Sequence, residues 1–85
     1  MLEKNIFVKY RKIKNINYLV YNNEIFELNE VGMKIWILLE NYKNTKEIYT
    51  QLAKDCGVTL ETVSNDVIEY VDKLIESGLV KNVPN

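Results

Sequence analysis

Eighty-five residues, 47% of them hydrophobic and including six tyrosines, two phenylalanines and one tryptophan, suffice for one compact core, read here as a single domain over residues 1–85. One cysteine and no histidine exclude an internal disulfide, cysteine-based structural zinc, His-ligated metals and His-dependent catalysis. The net charge of −1 is unevenly spread: residues 1–20 carry Lys4, Lys9, Arg11, Lys12 and Lys14 against Glu3, a balance of +4, and residues 21–85 stand at −5.

In chain order, Met1 to Asn5 reads as a loose lead-in. Ile6-Phe7-Val8-Lys9-Tyr10-Arg11 alternates weakly and predicts an outer strand over about 6–13, with its charges on a wet face. Lys14-Asn15-Ile16-Asn17 has turn composition. Tyr18-Leu19-Val20-Tyr21 is rich in strand formers and predicts a strand over about 17–21. Asn22-Asn23 suits a two-residue hairpin turn, because asparagine tolerates positive φ. A third strand follows over 24–28, completing an antiparallel meander.

At Asn29 the hydrophobic period changes from two to that of a helix. Val31, Ile35, Leu38 and Leu39 recur at helical spacing, and Met33, Trp36 and Ile37 fill most of the remaining circumference. This predicts a helix over about 30–41, buried nearly all round and capped by the Asn29 side chain. Asn44-Thr45-Lys46-Glu47 reads as a capping box with Glu47 reaching back to the cap. It opens a helix over 45–56 that carries Ile48, Tyr49, Leu52 and Ala53 on one face and stops at Gly57. Cys56 reads as a small buried residue. Thr59 caps a third helix over 60–77, closed by Gly78 with Leu79 packing back, and Leu79-Val80 begins a short extended segment before a polar tail ending at Asn85. The expected fold is α+β: a three-stranded antiparallel sheet followed by a three-helix, winged-helix-like bundle.

On the third helix, Val63, Val67, Ile68, Tyr70, Val71, Leu74 and Ile75 cover roughly 160° of arc, wider than the ~100° stripe a core contact needs. Either this helix is sandwiched, or one flank, Tyr70 or Ile68 with Ile75, lines a groove. Glu61, Asp66, Glu69, Asp72 and Glu76 read as a solvated face, not as an acid–base pair, and three isolated glycines make no phosphate loop. The expectation is therefore a protein that is not an enzyme and needs no cofactor. Leu52-Ala53, Gly57-Val58-Thr59 and Thr62-Val63 have helix-turn-helix spacing, which makes a DNA-binding regulator the alternative. Five acids against Lys73 alone give that helix the wrong sign for phosphate contacts, so no nucleic-acid partner is expected. No apolar run near the start is long enough for a signal peptide or membrane span; a cytoplasmic protein without a membrane partner is expected.

Phe26-Glu27-Leu28-Asn29-Glu30-Val31-Gly32-Met33-Lys34-Ile35-Trp36 resembles the strand-to-helix core of the PqqD-like proteins. Thr45-Lys46-Glu47-Ile48 with Leu52, Val63 to Asp66-Val67, and Leu74 with Gly78-Leu79-Val80 extend the resemblance over about residues 5–82. The chain departs from it after the first helix, where many members have an Asp-Gly turn and this one has Glu40-Asn41-Tyr42-Lys43. The resemblance implies a recognition element for ribosomally made peptides. Such a protein holds the precursor's leader as an added strand and presents it to a maturation enzyme, a radical S-adenosylmethionine enzyme or a leader peptidase. Carried over to this sequence, the edge falls on Glu24, Ile25, Phe26, Glu27 and Leu28, and the groove wall on Asp66, Tyr70, Lys73, Leu74 and Ser77. An exposed strand edge also permits a homodimer, and an adaptor that binds only another protein is a third reading.

Overall fold

Two pairs of consecutive residues with positive φ build the sheet of this protein, a computed structural model of which describes residues 1–84. Lys14 and Asn15 (φ 50° and 66°) join β2 (Lys9–Ile13) to β3 (Ile16–Tyr21), and Asn22 and Asn23 (52° and 64°) join β3 to β4 (Glu24–Leu28). Such two-residue turns match the right-handed twist of the strands they connect. The sheet order is β2-β3-β4, all antiparallel. With Leu19 opposite Phe26, period-two alternation sends Leu19, Phe26 and Leu28 toward the helices and leaves Arg11, Tyr18, Val20 and Ile25 on the outer face.

The helices are α1 (Glu30–Leu38), α2 (Thr45–Cys56) and α3 (Leu60–Glu76). Each begins at a side-chain cap: Asn29 Oδ1 accepts from the Gly32 amide at 2.7 Å, Asn44 Oδ1 from Glu47 at 2.8 Å, and Thr59 Oγ1 from Thr62 at 3.4 Å. Glu47 reaches back to the amide of Lys43, one residue before the cap. Gly57 and Gly78 adopt left-handed conformations after α2 and α3. Around Gly78 the pair of bonds Gly78 N–H to Ile75 O and Leu79 N–H to Leu74 O forms a Schellman end. The core gathers Leu19, Ile35, Leu39, Ile48, Val67, Val71, Leu79 and Val80, all fully buried. This is the expected sheet and three-helix layout, and winged helix describes it loosely.

Four expectations are corrected. The first five residues are not loose: β1 (Leu2–Lys4) pairs with β5 (Val80–Asn82) in a separate two-stranded sheet. Leu2 is buried, and Asn5 donates through Nδ2 to Gly78 O at 2.8 Å and through its amide to Leu79 O at 2.9 Å. The first meander strand accordingly starts at Lys9, with Ile6 and Phe7 exposed in the connection. α1 is shorter and less enclosed than expected. It ends at Leu38 because Glu40 and Asn41 tighten to i→i−3 bonds on Ile37 and Leu38, and Val31 and Ile37 stay half exposed because so short a chain lacks elements to cover every side. Cys56 is exposed, 3.9 Å from Lys34 Nζ: it continues the Ile48–Leu52 stripe by one turn, but as the last residue of α2 it is left uncovered. Asn85 lies outside the described residues.

The first strand is held across the molecule as well. Lys4 Nζ lies 2.5 Å from Glu40 Oε1 and 4.4 Å from the Trp36 ring centroid. Its hydrogen bond, then its charge, hold the Glu40 carboxyl below the usual 4.5. Leu2→Ala should therefore cost ~2–5 kcal/mol, the range for a buried leucine, as read from urea unfolding; a loose lead-in would give no change. A carboxyl lowered in the folded state adds stability above its ordinary pKa and loses it as pH falls through the lowered value. Unfolding midpoints of wild type and Glu40→Gln should thus differ at neutral pH and converge in acid.

Candidate functional site

Strand β4 has β3 on one side and, among the described residues, no strand on the other. Which of its peptide groups are free follows from the turn. A two-residue hairpin makes the flanking pair, Tyr21 and Glu24, hydrogen-bonded, and antiparallel pairs alternate from there. Leu19–Phe26 and Asn17–Leu28 are then hydrogen-bonded pairs too, while Ile25 and Glu27 direct their N–H and C=O groups to the open edge.

Beside that edge is a depression of about 260 Å³ lined by Phe26, Glu27 and Leu28, by Tyr70, Lys73, Leu74, Glu76 and Ser77 of α3, and by Leu79. Positions 70, 73, 74 and 77 share one stripe of a helix, and the Schellman turn folds Leu79 back beside Leu74. The floor is apolar, and Lys73 and Glu76 supply charges that join no ion pair among the described residues. Glu27, opposite Tyr18, borders the depression but alternates its carboxylate to the outer sheet face. Tyr70 is half-buried, and desolvation pushes its hydroxyl pKa up. Its ring rests on α1 at Gly32, where a Cβ would overlap the hydroxyl and come within 2.7 Å of Cζ.

The structure thus brings together Phe26, Glu27, Leu28, Tyr70, Lys73, Leu74 and Ser77. It separates three other candidates from them. Glu24 is exposed at the turn, Ile25 turns its side chain to the outer sheet face, and Asp66 lies one turn before Tyr70, outside the depression. Leu79 and Glu76 are additional lining residues. The sequence did signal Leu79 through its return past Gly78, whereas nothing separated Glu76 from the other helix acids. Of the two flanks of α3, Tyr70 is the one that lines the groove. Phe26 is partly buried against the core, and Trp36 is a core residue that also receives Lys4. A larger depression of about 490 Å³ lies where β4 meets α1, lined by Asn15, Asn17, Asn29, Glu30 and Lys34 together with Ile16, Leu28 and Met33. No group of three His, Cys, Asp or Glu residues is placed to hold a metal ion, and no helix is long and apolar enough to cross a membrane, among the described residues.

The family described as Coenzyme PQQ synthesis protein D (PqqD) matches residues 16–80, from β3 to the start of β5. The chain belongs to the PqqD family. A comparison with curated proteins gives no match. Among solved structures, the chain is similar to TbiB1 in complex with the TbiA(beta) leader peptide, with a TM-score of 0.80 and 25% identity over 98% of this chain and 99% of that one. That likeness spans β1 and β5 as well as the PqqD core. The Gly-x-x-Ile-Trp run of α1, which carries part of the family pattern, supplies the glycine under Tyr70.

An alanine in a helix normally gains ~0.5–1 kcal/mol over glycine. Gly32→Ala should not show that gain in urea unfolding, and it should shift the Tyr70 ring resonances. In a Tyr70→Leu background the same substitution should become stabilising, because the overlap is gone.

Proposed function

We propose that this PqqD-family protein captures the leader of a ribosomally made precursor peptide as a strand added to β4, and hands it to a separate maturation enzyme without doing chemistry itself. The observation that carries this reading is the open edge of β4 beside an apolar groove. It occurs in a fold shared with a protein that was solved in complex with a leader peptide.

Strand addition satisfies edge amides and carbonyls, and side-chain pockets select the sequence. Ile25 and Glu27 each present one N–H and one C=O to the edge, and four bonds at ~1 kcal/mol net supply ~4 kcal/mol. Micromolar affinity requires ~8 kcal/mol, so a comparable share falls to apolar peptide side chains seated among Phe26, Tyr70, Leu74 and Leu79. Lys73 and Glu76 at the rim would pair with opposite charges on the leader. Ser77 offers a hydroxyl, and Asp66, one turn beyond, extends the wall for a longer leader. The enzyme receiving the peptide is a radical S-adenosylmethionine enzyme or a leader peptidase, as the family resemblance implies. The exposed acids of α3, from Glu61 to Glu76, weigh against duplex DNA as ligand.

The test is fluorescence anisotropy of labelled leader, taken from a small open reading frame beside this gene, with duplex DNA at low salt as control. Saturable binding of the leader alone is expected; salt-sensitive binding of DNA instead would overturn the reading. Ile25→Pro removes an outward-facing donor, which an edge strand tolerates. It should keep the fold by circular dichroism and lose leader affinity at least about tenfold, the equivalent of one lost hydrogen bond with its geometry. Phe26→Pro removes an inward donor bonded to β3 and should unfold the hairpin.

A further inference from the structure

The outer face of the β2-β3-β4 sheet departs from the usual pattern of a one-sided antiparallel sheet, whose solvent face is polar. Among the described residues no helix covers it, yet it carries Ile13, Ile16 and Ile25, exposed by 57%, 40% and 69%, beside half-buried Tyr18 and Val20. Arg11, Ile13, Tyr18, Val20 and Ile25 enclose a depression of about 260 Å³ on this face. Its charges are mostly of one sign. Lys9 and Arg11 stand on the face together with Glu27, which lies opposite Tyr18, and Lys14 is at the adjoining turn; Lys12 alternates to the other face. None of Lys9, Arg11 and Lys14 joins an ion pair among the described residues, and Arg11 turns back onto the Tyr10 carbonyl at 3.0 Å. A contiguous apolar patch with an unpaired rim marks an interaction surface.

We propose that this face docks the maturation enzyme, through an apolar patch rimmed by Asp and Glu on that enzyme, while the leader occupies the groove against α3. The identity of the partner rests on the reading of the preceding subsection; the chemistry of the surface does not. A second copy fits poorly. Two-fold pairing sets this basic face against itself, and packing it on the acidic face of α3 in a neighbour gives a head-to-tail contact, which builds rings or open filaments and not a dimer. An acid-rimmed partner pairs Lys9, Arg11 and Lys14 and covers the isoleucines. Because Ile25 projects its side chain to this face and its peptide groups to the open edge, β4 would touch both ligands at one residue.

The experiment measures affinity of the purified maturation enzyme for the leader-loaded chain, and leader affinity separately, for wild type and two double variants. Lys9→Glu with Arg11→Glu reverses the rim, and Ile13→Thr with Val20→Thr removes apolar surface while keeping β-branched residues that hold the strands. Both should weaken enzyme binding at least about tenfold and leave leader affinity within about twofold, and wild-type enzyme binding should fall with added salt. Unchanged enzyme binding in both variants overturns the proposal, as does a concentration-dependent dimer abolished by the threonine variant, which would make a second copy the occupant. A chain that binds leader but not enzyme overturns this surface alone. Enzyme binding through this face without leader binding overturns the peptide reading and leaves the surface standing.

Discussion

Tyr70 reaches from α3 to the first turn of α1 and rests its hydroxyl where any side chain at position 32 would stand. The same glycine is fixed from the other side, since its amide donates to the Asn29 cap at the corner between β4 and α1. Asn29, Gly32 and Tyr70 thus form a short series of contacts from the edge strand to the third helix. Its length sets how far α3 stands from β4, and hence the width of the groove. A second tie fixes the far end: Asn5, buried, bonds to Gly78 and Leu79 just beyond α3. Held at both ends, α3 presents Tyr70, Leu74 and Leu79 to the edge as a fixed wall.

The two free edges of the sheet are managed differently. Every residue of β2 is exposed, and Lys9, Arg11 and Lys12 make that edge a poor template for another strand. Strand β4 is bounded by Glu24 and Glu27 but keeps Ile25 between them, and its outward peptide groups lie beside an apolar wall. Water satisfies those groups in the free protein, so added backbone bonds contribute little net energy. Affinity and choice of peptide then come from the side chains that reach the groove, which fits a module that reads one class of segment. The charge asymmetry of the sequence takes a spatial form here, with a basic outer sheet and an acidic α3.

Much of this was legible in the sequence because local chemistry fixed it. Asn22-Asn23, the Asn29, Asn44 and Thr59 caps, and Gly57 and Gly78 are each tied to a backbone geometry that few other residues satisfy. The apolar stripe of α2 and the Tyr70–Leu74 flank of α3 follow from helical period. What escaped depends on partners remote in sequence. Leu2 and Asn5 look like a loose lead-in until β5, some eighty residues later, pairs with Leu2 and the turn after α3 accepts from Asn5. Period alone made α1 look enclosed, but enclosure needs neighbours, and Val31 and Ile37 have too few. Ile25 belonged to the edge by position. Only strand register divides it, backbone to the groove side and side chain to the outer face.

The most direct measurement is amide hydrogen exchange, residue by residue, with and without leader peptide. Strand addition predicts that in the free protein Glu24, Phe26 and Leu28 are protected by β3 while Ile25 and Glu27 exchange rapidly, and that leader slows Ile25 and Glu27 selectively. Protection that arises elsewhere on leader binding, with Ile25 and Glu27 still exchanging freely, would contradict the account and place the peptide on another surface.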